Sequence, residues 1–129
     1  MRVLLDTCVV LWYFAGSMRI PDPVRDALTD SSNDVFVSDV SALEVVIKYK
    51  LGKLSLVQPP SRFWGELVAR HEMETLSLDI EDIFGWQDLP LLHGDPFDRL
   101  LIAQAVRNSL RLISPDPLIQ RYDVPVWWG

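Results

Sequence analysis

Short apolar runs alternate along the chain with segments whose apolar residues recur every three or four positions. Val3-Leu4-Leu5 is continuous and apolar, as a strand buried on both faces of a parallel sheet must be. Asp6 ends it, and Thr7 is placed to cap a short helix through Phe14. After a loop over residues 15–20, Pro21-Asp22-Pro23 opens a helix that fades into the turn composition Asp30-Ser31-Ser32-Asn33. Asp34 to Ser38 reads as the second strand. A helix then runs from Asp39 to Leu51, with Leu43, Val46 and Ile47 on a 3.6-type period, and Gly52 marks its end. Ser41-x-x-Glu44 matches a capping box; if the helix instead starts just after Ser38, Glu44 lies about one turn inside it.

Lys53 to Pro60 reads as a connector. Ser61 then caps a helix with Phe63, Trp64, Leu67 and Val68 on one face. Met73 to Leu78 carries the third strand, and a short helix starts at Asp79. Leu110 to Ser114 is the fourth strand, and Pro115-Asp116-Pro117 opens a short helix over Leu118 to Tyr122. Val124 to Trp128 is the last strand, which Pro125 confines to an edge. Strands alternating with helices predict βαβ units. The expected fold is therefore α/β, a single domain over residues 1–129 with a central, mostly parallel sheet of four to five strands flanked by helices.

The stretch from His93 to Ala105 organises the candidate chemistry. Pro96 fits the first helical position, Asp95 the N-cap and Asp98 the first turn, ahead of the apolar run Leu100 to Ala105. Taken alone, Asp95 is a cap and Asp98 complements the helix dipole. The other acids change that picture. Asp6 ends the first strand, Glu44 lies early in the helix after the second, and Asp116 follows the fourth. In open α/β sheets, sites form outside the carboxyl ends of the strands. Asp6, Glu44, Asp95, Asp98 and Asp116 are thus expected at one edge of the sheet.

Carboxylates gathered in one cleft repel one another unless a cation joins them. Oxygen ligands suit Mg²⁺, with Mn²⁺ as a substitute, whereas no Cys/His cluster offers a zinc site. His93 and His71 are the only histidines, and His93 reads as a loop or helix-entry residue rather than a ligand. Hard cations held by carboxylates serve phosphoryl chemistry, activating water for in-line displacement. Ser38 and Ser114 are candidates to contact substrate or water, or equally turn and cap serines. Lys48 and Arg99 are candidates to hold a phosphate backbone. Lys50 and Lys53 read as a solvated face that suits the end of the helix.

The net charge of −6 and the pI near 4.7 argue against nucleic-acid binding through a broad basic face. They do not exclude a nuclease, because a bound cation reverses the local sign. The single cysteine, Cys8, cannot form an internal disulfide and is expected to be a buried small hydrophobe, which fits a reducing compartment such as the cytoplasm. Arg2 and the apolar run Val9 to Ala15 imitate a signal peptide, but Asp6 interrupts the stretch. No apolar run approaches the ~20 residues of a membrane span.

At these residues the sequence resembles a PIN domain, and specifically a VapC-type toxin ribonuclease, along its whole length. Leu4-Leu5-Asp6-Thr7, Ser41-Ala42-Leu43-Glu44-Val45, Asp95-Pro96-Phe97-Asp98-Arg99 with its apolar continuation, and Ser114-Pro115-Asp116 occur in the family's order. The resemblance implies a metal-dependent endoribonuclease with Asp6, Glu44, Asp98 and Asp116 around Mg²⁺, and Asp95 as an extra acid. It implies Thr7 as a further candidate for a substrate or water contact. Ser114 stands where the family usually has Thr, and keeps the hydroxyl. The resemblance also implies an RNA substrate, a homodimer, and a cognate VapB-like antitoxin covering the acidic cleft. The competing expectation is a module of the same fold that binds RNA or protein without cutting, its acids serving only as caps. A receiver-like domain fits less well, since Asp6-Thr7-Cys8 offers no second acid beside Asp6.

Overall fold

Five strands form one sheet: β1 (Arg2–Leu5), β2 (Asp34–Ser38), β3 (Glu74–Leu76), β4 (Arg111–Ile113) and β5 (Val126–Trp127). Their order is β3-β2-β1-β4-β5, and every pairing is parallel. This is a computed structural model, and it describes residues 1–129. Six helices connect the strands: α1 (Thr7–Phe14), α2 (Asp22–Thr29), α3 (Asp39–Lys50), α4 (Pro60–Arg70), α5 (Ile80–Gln87) and α6 (Pro96–Asn108). A 3-10 turn at Ile119–Arg121 stands where a short helix was expected over Leu118 to Tyr122. Pro125 lies just before β5 at the sheet edge, where its missing N–H breaks no ladder.

Period-two alternation in β1 builds both faces of the core. Val3 and Leu5 pack with Val9, Val24, Val37, Phe63 and Leu67 on one side. Leu4 packs with Leu101, Ile102, Ala105 and Leu112 on the other. Leu4 and Leu5 are fully buried, each stabilising the fold by about 2 kcal/mol through removal of its side chain from water. Because β1 is covered on both faces, its sequence is continuously apolar rather than alternating.

Helix ends follow local chemistry, with some departures from the sequence reading. Ser38, not Ser41, caps α3 by accepting from the Val40 N–H at 3.0 Å. Ser41 instead shares a buried 2.8 Å hydrogen bond with the Thr7 hydroxyl, so neither residue acts as a cap. α4 begins at Pro60, one residue ahead of the expected Ser61 cap, because Pro in the first turn needs no N–H partner. Gly52 has φ +73° and closes α3, with the Lys53 N–H reaching back to the Lys48 carbonyl. Asp95 caps α6, accepting from the N–H groups of Phe97 at 2.9 Å and Asp98 at 3.3 Å.

The strand order places the site. From β1 the chain steps outward through β2 to β3 on one side, then crosses back to β4 and β5 on the other, so the strand order reverses between β1 and β4. The crevice at that switch point, beyond the strand carboxyl ends, is where ligands bind in open α/β sheets.

Candidate metal centre

Each acid reaches the crevice from a different element. Asp6 follows the last residue of β1, and its N–H continues the ladder to the Ile113 carbonyl at 3.0 Å. Asp116 stands two residues beyond Ser114, in the loop leaving β4. Glu44 comes from the second turn of α3, and Asp95 and Asp98 from the start of α6. Together with Thr7, Cys8, Leu11 and Lys48, these five acids line a cleft of about 210 Å³. The carboxylates of Asp98 and Asp116 form its tightest group with the His93 ring, their ligand atoms all within 4.8 Å of one another.

Buried polar contacts aim these side chains. The Ser114 hydroxyl donates to Asp6 Oδ2 at 2.7 Å and accepts from the Asp116 N–H at 3.0 Å, tying the first acid to the last. His93 Nε2 lies 2.8 Å from Asp98 Oδ2 and 3.4 Å from Asp116 Oδ2. Lys48 Nζ pairs with Glu44 Oε2, one turn along α3. Glu44 is buried, yet its other oxygen, Oε1, has no hydrogen-bond partner. A buried carboxylate oxygen left unpaired costs about 1–3 kcal/mol or more, and its free lone pairs are ones a cation could take.

The electrostatics agree. Burial raises the Asp6 carboxyl above its ordinary range, against the lowering effect of the Ser114 hydrogen bond, and Glu44 and Asp116 raise it further. Burial, then the charges of Asp6 and Asp95, push Asp98 up to about 7, although the His93 bond pulls the other way. The Cys8 thiol is raised by burial and by Asp6 beside it. Cys8 is half-buried on the cleft wall, not wholly enclosed in the core. The hydrogen bond from Lys48 to Glu44 holds the ammonium above its ordinary range. Like charges crowded into a half-dry cleft resist full ionisation, and a divalent cation removes that resistance. An oxygen-rich donor set fits Mg²⁺ or Mn²⁺.

Two expected contacts lie elsewhere. Arg99 is 1% exposed, and its guanidinium is consumed by the carbonyls of Trp86, Leu89 and Pro90 and by the Tyr122 hydroxyl, over the Trp86 ring. It fastens the loop before α6 and does not face a phosphate, because the carbonyls at the end of α5 draw a cation inward. Ser38 is fully buried, donating to Gln104 Oε1 while it caps α3. Thr7 remains on the cleft wall, with its hydroxyl bound to Ser41. His93, read from the sequence as a loop residue, stands against two of the acids. Its placement five residues before Asp98, in the loop entering an acid-capped helix, is the one signal that could have found it.

Beside the cleft runs an apolar groove of about 450 Å³ between α1 and residues 54–58, lined by Trp12, Phe14, Leu54, Leu56 and Phe63. Leu11 lines both the groove and the cleft.

Known structures share this architecture. The VapBC2 complex from Rickettsia felis bound to a promoter DNA fragment contains a chain similar to this one, with TM-score 0.74, 16% identity and all of both chains covered. A DNA-bound VapBC from Salmonella typhimurium gives 0.71 at 16% identity, covering 100% of this chain and 99% of that one. FitAB bound to the IR36 DNA fragment gives 0.66 at 19%, covering 100% and 96%. No curated protein sequence is a significant match. The PIN domain family model matches residues 3–125. With that match spanning nearly the whole chain, and with the acids gathered at the switch point of a parallel sheet, the chain belongs to the PIN domain family.

Proposed function

We propose that the chain is a Mg²⁺-dependent endoribonuclease, the toxin of a VapBC-type toxin–antitoxin module, hydrolysing RNA phosphodiester bonds. The observation that carries this reading is the convergence of Asp6, Glu44, Asp95, Asp98 and Asp116 on one cleft, with Glu44 Oε1 buried and unpartnered. Asp6, Glu44, Asp98 and Asp116 would hold the cation, with Asp95 alongside, and Mn²⁺ would serve in place of Mg²⁺. The bound metal supplies an activated water and charge stabilisation for in-line displacement at phosphorus.

The chain's own residues do the rest. Ser114 donates to Asp6 Oδ2 and so favours the ionised carboxylate a cation needs. Asp98, its carboxyl raised by burial and by the charges of Asp6 and Asp95, would have to be ionised to hold a cation. Lys48 is half exposed at the rim and bound only to Glu44, so it can turn to a phosphate of the RNA. With a net charge of −6, RNA is held by local shape and a few such contacts.

A VapB-like antitoxin is the proposed partner. The similar structures are of VapBC and FitAB bound to DNA. The apolar groove and the acidic cleft share Leu11 in their walls, which suits a peptide that covers both. The exposed apolar side chains of α3 and α5, among them Leu43, Val46, Ile80 and Phe84, offer surface for the proposed homodimer. No helix is long and apolar enough to cross a membrane, and the cytoplasm is the proposed location.

Purified, antitoxin-free protein incubated with total cellular RNA tests the reading. Discrete fragments that require Mg²⁺, vanish in EDTA and are absent with Asp98→Asn are expected. Intact RNA under all conditions, with no metal binding, would leave a non-catalytic binding module.

A further inference from the structure

His93 belongs to no motif that defines the acidic cleft, yet both nitrogens of its ring have partners at the cleft's edge. Its ring nitrogen Nε2 lies 2.8 Å from Asp98 Oδ2 and 3.4 Å from Asp116 Oδ2. The other ring nitrogen, Nδ1, faces the Asp95 backbone N–H at 3.4 Å. The backbone is pinned as well. The N–H groups of Leu92 and His93 both donate to the buried Tyr122 hydroxyl, at 3.2 and 2.9 Å, and Arg99 donates to the same oxygen.

These contacts decide the tautomer. A neutral imidazole carries one N–H and one lone pair. A backbone N–H can only donate, so the nitrogen facing it, Nδ1, must present the lone pair. Once ionised, as at mildly alkaline pH, both carboxylates can only accept, so the nitrogen beside them, Nε2, must carry the hydrogen. Both sides of the ring give the same answer. A ligating histidine has the opposite arrangement, with the nitrogen away from the metal donating its hydrogen to a carbonyl or carboxylate. Here that nitrogen meets a donor.

We propose that His93 is a positioning residue whose Nε2–H is bonded to Asp98 and keeps Asp116 close beside it at the cleft, and that it is not itself a metal ligand. Asp98 arrives on the first turn of α6 and Asp116 on the loop after β4, and nothing covalent nearby joins them. Two carboxylates this close repel until a cation arrives. One N–H bonded to Asp98 Oδ2, with Asp116 Oδ2 3.4 Å from the same nitrogen, offsets part of that repulsion in advance and leaves oxygen lone pairs for the metal. The pair is then already assembled when the cation enters, and outer contacts of this kind are worth roughly 10–100-fold in metal affinity.

This inference rests on the metal reading above, so its test separates the two. In the metal-free full chain, labelled with ¹⁵N-histidine, long-range ¹H–¹⁵N spectra at mildly alkaline pH should show His93 with Nε2 protonated and Nδ1 bare. The Nδ1–H tautomer would overturn the proposal, and the spectra need no variant that might misfold. Mn²⁺ affinity, read by electron paramagnetic resonance, should fall roughly 10–100-fold in His93→Phe. It should largely recover in His93→Gln, whose amide N–H reaches the same side. Equal affinity in all three proteins, or a ¹⁴N coupling to Mn²⁺ that His93→Gln removes, would sink it. A wild-type chain that binds no Mn²⁺ would defeat the functional reading, while the tautomer spectra would still decide the hydrogen bond.

Discussion

The Ser114 hydroxyl donates to Asp6 Oδ2 across 2.7 Å, joining the first acid of the chain to the end of the strand beside it. Ser114 Oγ also accepts from the Asp116 N–H, so one serine sets two of the candidate ligands. Ser114→Ala should therefore free Asp6 to stay protonated and Asp116 to wander. The expected result is a metal affinity lower by roughly 10–100-fold with little change in fold. Calorimetric titration with Mn²⁺ checks this, and an affinity equal to wild type would remove Ser114 from the site.

The pH dependence of stability carries the same signature. Asp98 is raised to about 7 in the folded chain, from an ordinary value of 3.8. A raised acid binds its proton more tightly when folded. Its contribution to stability is fully present below the unfolded value and is lost as pH climbs through about 7. Asp98→Asn removes that loss. In EDTA, the melting temperature of Asp98→Asn relative to wild type should thus rise between about pH 5 and about pH 8. With Mg²⁺ present the order reverses at the higher pH, because only wild type gains the cation. A difference in EDTA that stays flat across this range would mean the Asp98 carboxyl is not strained in the folded chain.

A metal at Glu44 would compete with Lys48 for its carboxylate. Lys48→Gln should tighten Mn²⁺ binding several-fold, since the cation no longer displaces an ammonium from Oε2. The same variant should raise KM for RNA, since a rim charge is lost, and lower the salt dependence of binding by about one phosphate contact. Changes of the same sign in both measurements would contradict this division of roles.

Arg99 should behave as a structural residue. Arg99→Leu strips donors from three loop carbonyls and the Tyr122 hydroxyl, which should cost on the order of 3 kcal/mol in urea unfolding. Arg99→Lys should recover only part, since an ammonium cannot span four acceptors. A variant of unchanged stability but weaker RNA binding would restore the phosphate role.

Much of this was legible in the sequence because β1, β2 and the Asp95–Ala105 stretch obey local rules. Continuous apolar runs mark strands covered on both faces, and Asp95 with Pro96 marks a helix start. The positions of the acids at strand ends follow from that alternation. What stayed hidden depends on contacts between distant segments. Arg99 sits beside Asp98 in sequence but turns inward to the Trp86–Pro90 loop. Ser38 has the composition of a site serine, yet the approach of Gln104 from α6 consumes it. Ser41 matches a capping pattern, but the approach of α1 gives its hydroxyl to Thr7. His93 could be weighed only once Asp116, 23 residues away in sequence, was seen beside it. Local pattern sets elements and the sheet edge, whereas tertiary approach sets which polar groups remain free.

The central claim is that these acids form a cation site, and titration of Mg²⁺ and Mn²⁺ into the wild-type chain, Asp6→Asn and Asp98→Asn by calorimetry tests it most directly. Saturable binding to wild type that releases protons near neutral pH, and that is weakened at least tenfold in both variants while each remains folded, is the predicted result. Binding that is absent from wild type, or equal in all three folded proteins, would contradict it.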